Sequence, residues 1–128
     1  MLKNSLPEQF NEDELLLRAV LARPWFWKDG KLSSAALKDN KGLSVDRTYN
    51  RTLDESITYM LQNLTGSVVT FTLADCNSVN AVVKYRPSKN IYHSEIHGSE
   101  ETPRLSPQQA KELALRAEVV YSVTITTT

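Results

Sequence analysis

Two histidines flank a glutamate in alternation along His93-Ser94-Glu95-Ile96-His97. Imidazole and carboxylate are common metal ligands, and histidine is the usual side chain for proton transfer near neutral pH. Spacing decides between the two uses. On a strand the three side chains share one face, but residues four apart are separated by ~13 Å at ~3.3 Å per residue. Two imidazoles that far apart do not close on one ion without a bend. On a helix they would be neighbours, as in His-Glu-x-x-His sites, but Gly98 and the preceding β pattern disfavour a helix here. We read no metal site and keep His93 as the candidate catalytic acid/base.

A second set could gather around an anion. Arg18, Lys38 and Arg47 would supply charge, and Ser34 and Ser44 would supply hydroxyl donors. Nothing in their spacing joins them, so only the fold could do so. The four glycines are scattered and form no phosphate loop, which argues against P-loop or dinucleotide-fold binding. Trp25-Phe26-Trp27 is read as a core-lining aromatic knot, with base stacking as its functional alternative. Cys76 has no base beside it in the sequence, as a nucleophilic thiol requires. No serine elbow is present, and Glu12-Asp13-Glu14 and Glu100-Glu101 read as solvated runs.

Composition limits the partners. The 15 basic and 15 acidic side chains cancel, whereas proteins that bind nucleic acid through phosphates carry a basic excess on some face. Nucleic acid is therefore possible but not favoured, and an anionic membrane surface is disfavoured too. Low net charge eases association with itself or a partner. A lone cysteine forms no internal disulfide and fits a reducing compartment. The N-terminus lacks the apolar run of a signal peptide, no apolar run is long enough to span a membrane, and the expected location is cytoplasmic.

The elements that must position these residues make one domain of α+β class. Residues 1–10 read as a flexible N-terminal arm, followed by a single domain over 11–128. Asn11-Glu12-Asp13-Glu14 offers an N-cap and an acidic first turn, yet Leu15, Leu17, Ala19 and Leu21 also fit a strand face, so residues 15–22 stay open between helix and strand until Pro24 ends them. Ser33 could cap a short helix through Lys38, or the run could be a strand of small residues. After the turn at Asp39-Asn40-Lys41-Gly42, Leu43, Val45 and Arg47 alternate with Ser44 and Asp46, a half-buried strand. Thr52-Leu53-Asp54-Glu55 is a capping box, and Ile57, Met60, Leu61 and Leu64 follow on one helical stripe. Ser67–Leu73 and Val79–Tyr85 read as strands of a hairpin joined by a turn at Asp75-Cys76-Asn77-Ser78, with a third run at Ile91–His97. Ser106-Pro107-Gln108-Gln109 starts a second helix, with Ala110, Leu113, Ala114 and Ala117 facing inward. A β-branched run from Val119 to Ile125 closes the chain. The expected architecture is a mainly antiparallel sheet with two amphipathic helices packed on one face.

Leu32-Ser33-Ser34-Ala35-Ala36-Leu37-Lys38, Gly42-Leu43-Ser44-Val45-Asp46-Arg47, and His93 ahead of Gly98 resemble a group of small uncharacterised bacterial proteins. Those share a Ser-Ser-Ala-Ala-Phe-Lys, Leu-Ser-Val-Asp and His-x-x-x-x-Gly pattern. The resemblance covers roughly residues 16–120, with Leu37 in place of phenylalanine and Ser94 in place of alanine. It implies a bacterial origin and candidate positions, and it implies no reaction.

The favoured expectation is a small bacterial accessory or binding protein acting with a protein partner or with itself, because no complete catalytic set is visible and no cofactor is implied. The first alternative is an enzyme acting on a nucleotide or RNA, with phosphate held by the Arg/Ser/Lys cluster and His93 as acid/base. The second is nucleic-acid binding through Trp25–Trp27. A cleft shared by His93 with Ser34, Lys38 or Ser44 would favour the enzyme reading.

Overall fold

A computed structural model of the chain describes residues 5–88 and 90–124. Residues 1–4 of the expected arm and Ile125 of the expected closing strand lie outside them. The strands are β1 (Leu15–Val20), β2 (Trp27–Lys28), β3 (Lys31–Leu32), β4 (Leu43–Arg47), β5 (Ser67–Thr72), β6 (Val82–Tyr85), β7 (His93–His97) and β8 (Glu118–Tyr121). The helices are α1 (Leu53–Leu61), α2 (Leu73–Ser78) and α3 (Pro107–Arg116), with 3-10 turns at Pro24–Phe26 and Ser34–Leu37. Six strands form one antiparallel sheet in the order β6-β7-β4-β1-β5-β8, and β2 and β3 form a separate hairpin over the turn at Asp29-Gly30. This is the expected α+β class in one compact domain. Among the described residues no helix is long and apolar enough to cross a membrane.

The open question at residues 15–22 resolves as a strand, and a central one. Leu16 and Val20 enter one buried cluster with Val69, Phe71 and Leu113, while Leu17 enters another with Ile57, Met60 and Val68. A strand buried on both faces loses the apolar–polar alternation that marks a half-exposed one. The same split corrects the expectation that both long helices share a face. Helix α1 packs on the Leu17 side and α3 on the Leu16 side, so the sheet is covered from both sides.

The capping boxes at Thr52 and Ser106 are formed as read, each hydroxyl accepting from the third helical amide and each N3 side chain answering. The hairpin expected between Ser67–Leu73 and Val79–Tyr85 is absent. Residues 73–78 form α2 instead of a turn, capped by Thr72 with Asp75 reaching back. The first strand, β5, pairs with β1 and β8, and the second, β6, pairs with β7.

Residues 6–10 of the expected arm are fastened to the body. The Leu6 amide donates to the Tyr85 hydroxyl at 2.7 Å, and Arg47 donates to the Pro7 and Gln9 carbonyls. The Phe10 ring lies 4.0 Å from the Arg47 guanidinium carbon.

Candidate functional site

Strands β4 and β7 run side by side, so that Ser44 stands opposite Glu95 and Asp46 opposite His93. Alternation turns Leu43, Val45 and Ile96 into the core on the α3 side and leaves Ser44, Asp46, His93, Glu95 and His97 on the α1 side. The ladder between β1 and β4 holds only two residue pairs, Leu16 with Arg47 and Leu17 with Asp46. Where pairing stops, the Arg18 side chain takes its place. Its Nη1 donates to the Ser44 carbonyl at 3.0 Å and its Nη2 to the Ala36 carbonyl at 3.4 Å. Burial lowers the pKa of this guanidinium, and Asp39 partly opposes the shift. Its Nε is buried without a partner.

Helix α1, β1, β4 and the chain before β7 enclose a cleft of about 750 Å³. Arg18, Asp39, Ser44, Asp46, Tyr59, Asn63, Thr65, Asn90 and His93 supply its polar lining, and Ala19, Leu21, Val45, Met60 and Leu64 its apolar walls. This volume suits a drug-sized molecule, and the wall is mostly apolar in area although polar residues outnumber apolar ones along it.

Asp46 is the group that the sequence reading did not nominate. It is 6% exposed, and its Oδ1 accepts from Asn90 Nδ2 at 3.0 Å. Burial raises its pKa above the ordinary carboxylate value, against the opposing influence of Arg51, His93 and the Asn90 hydrogen bond. The signal was there: Asp46 shares an alternating face with Ser44, two residues away. Arg51 stacks on Tyr92, 3.4 Å from the ring centroid, and donates Nη2 to the Arg47 carbonyl at 2.6 Å. Burial lowers its pKa, while Tyr92 and Asp46 oppose the shift.

Glu95 lies between the two imidazoles. Its Oε1 is 2.8 Å from His97 Nε2, and its Oε2 is 3.7 Å from His93 Nε2. His97 is buried against Gly42, where an added Cβ would sit 2.7 Å from Nε2. Among the described residues no group of three or more His, Cys, Asp or Glu is arranged to hold a metal ion.

The five residues grouped as an anion site separate into three places. Arg18 and Ser44 join His93 in the cleft. Ser34 and Lys38 line a different cavity, of about 520 Å³, with Arg104 and Thr102 at the start of α3. Arg47 is fully buried on the opposite side of the sheet, with its Nε 2.7 Å from Glu14 Oε2. It fastens the N-terminal segment, away from both cavities. The aromatic knot also divides. Trp27 is in the core and donates Nε1 to the Leu21 carbonyl, Phe26 packs against that core, and Trp25 alone is largely exposed. A three-ring stacking platform is therefore not formed. Cys76 is buried in α2, where burial pushes its thiol up to about 12.

Compared with known proteins, the chain matches no family model, no curated protein and no solved structure.

Proposed function

We propose that the cleft beneath α1 binds a small organic molecule and that Asp46 and His93 exchange a proton with it. One observation carries this: Arg18, Ser44, Asp46 and His93, from three strands and distant stretches of chain, line a single cleft. A buried carboxyl with a raised pKa holds its proton to higher pH than a free one and can return it to a substrate, while the imidazole opposite can accept one. The reading keeps the acid/base role of His93 and drops the phosphate role of the Arg/Ser/Lys cluster. Both Nη groups of Arg18 already donate to carbonyls, Asp39 and Asp46 line the same cleft, and Ser34 and Lys38 lie elsewhere. The single buried cysteine and the resemblance described above support a bacterial, cytoplasmic setting.

The test is a small-molecule screen on the isotopically labelled protein. Binders should shift the resonances of Asp46, Tyr59, Asn90 and His93 together, and any turnover found should fall by about 10²–10⁴ in His93→Asn. Binders that shift only residues outside this group would sink the reading.

The accessory-protein reading draws support from a different surface. Strand β8 is an edge of the sheet, with Val119 and Tyr121 exposed at 39% and 42%, and Leu115 of α3 is exposed at 72%. Unpaired edges and exposed apolar residues suit a partner strand. Tyr121→Lys should weaken any complex recovered by expression beside the genomic neighbours. A protein that elutes alone as a monomer would count against this second reading.

A further inference from the structure

Among the described residues only one oxygen of Asp46 receives a hydrogen bond, and the other has no donor of its own. Asp46 is almost fully buried, and its one side-chain hydrogen bond among the described residues comes from Asn90. Arg51 and His93 lie near enough to act on its charge, but none of the ion pairs among the described residues includes it. A buried carboxylate is stabilised only by donors or opposite charge close at hand. The rest of the cleft points the same way. Arg18, the one arginine or lysine of the lining, has both Nη groups engaged by carbonyls and its unpartnered Nε buried out of reach, and Asp39 adds a second acceptor. The unmet demand is thus for donors onto a carboxylate, in a space walled by Tyr59, Met60 and Leu64.

We infer that the cleft takes a flat heterocycle with two adjacent N–H donors, as in guanine or a pterin, and sets that donor pair on Asp46. The inference rests on the cleft being a small-molecule site. Two parallel N–H groups match the two oxygens of the carboxylate that Asp46 presents once it has given up its proton. The carboxamide of Asn63 lies in the same lining to meet the remaining ring atoms, Asn90 being engaged by Asp46 and the Tyr92 amide, and the apolar walls cover the ring faces. A guanidinium group offers the same fork of donors, but as a cation it would meet Arg18 in the cleft and Arg51 beside Asp46.

The test titrates the labelled 128-residue chain separately with guanosine, pterin, inosine, L-arginine amide and inorganic phosphate. Guanosine and pterin should saturate and shift Asp46, Asn90, Tyr59 and His93. Inosine lacks the 2-amino donor and should bind at least about tenfold more weakly than guanosine, the worth of one hydrogen bond to a charged group. Arginine amide and phosphate should leave the cleft resonances in place. In Asp46→Asn the guanosine preference over inosine should collapse. Equal affinities for guanosine and inosine in the unaltered protein would overturn the inference whether or not that variant folds, and so would cleft binding of arginine amide or phosphate. If other small molecules shift the cleft and neither guanosine nor pterin does, this ligand class is wrong and the cleft reading stands. If nothing shifts the cleft, both fall.

Discussion

Arg47 is fully buried with its guanidinium on Glu14, which is itself 8% exposed, and the Phe10, Tyr49 and Tyr85 rings surround it. Removing one partner strands the other charge away from water, a loss of about 3–5 kcal/mol. Glu14→Ala should therefore shift the urea unfolding midpoint far more than Glu12→Ala, which alters an exposed residue. Asp46 makes the opposite kind of prediction. Its folded pKa is raised, so the folded state holds that proton more tightly than the unfolded chain does. Stability from this group is complete at low pH and falls as pH rises from the ordinary carboxylate value through the raised one. Asp46→Asn should gain on the wild type across that window and keep a constant lead above it. Urea melts at a series of pH values between about 3 and 7 would check the sign. A gap that narrows with rising pH would refute it. Part of this was legible in the sequence. Alternation put Arg47 with Leu43 and Val45 on the face that proves buried, and Asp46 with Ser44 on the other. What alternation does not carry is the identity of the groups that arrive from β1, β7 and the N-terminal segment.

At the scale of elements, the legible parts were those set by local chemistry. The boxes at Thr52 and Ser106 needed only the side chains three residues on, and both helices formed. Helix α2 had the same signal in Thr72-Leu73-Ala74-Asp75, with aspartate in the glutamate position, but the polar run Asp75-Cys76-Asn77-Ser78 resembles a turn. Thr72→Ala should cost about 1 kcal/mol, as loss of an N-cap does, and a thermal melt would measure it. The exit from α1 depends on a closer fit. Gly66 has φ +118°, and a Cβ there would lie 2.3 Å from the Val20 carbonyl oxygen. Gly66→Ala must strain its backbone or push β1 aside, at a cost of about 1–3 kcal/mol. Because β1 carries Arg18, the same substitution should also displace the cleft resonances. Gly30→Ala makes the control, since its φ is also positive but no neighbouring atom lies within 4 Å of the added Cβ.

At the scale of the whole molecule, the N-terminal segment acts as a strap over the side of the sheet opposite the cleft. Deleting residues 1–10 removes the carbonyl acceptors of Arg47, the Leu6–Tyr85 hydrogen bond and the Phe10 ring. It should lower stability by at least about 2 kcal/mol, measured by urea unfolding, while leaving the cleft lining intact. The strap was not legible because its hydrogen bonds are made by backbone groups, which any sequence supplies. Strand order has a consequence of a different sort. Strand β1 is synthesised before the other strands of the sheet, yet it lies inside the sheet, and its longer ladder is made with β5. A nascent chain must hold Leu15–Val20 without its full set of neighbours until Thr72 has emerged. Strands β7 and β6 then add outward beyond β4, and β8 beyond β5, so the sheet grows from its middle toward both margins. Fragments ending before β5 should therefore be the most aggregation-prone lengths of this chain during translation.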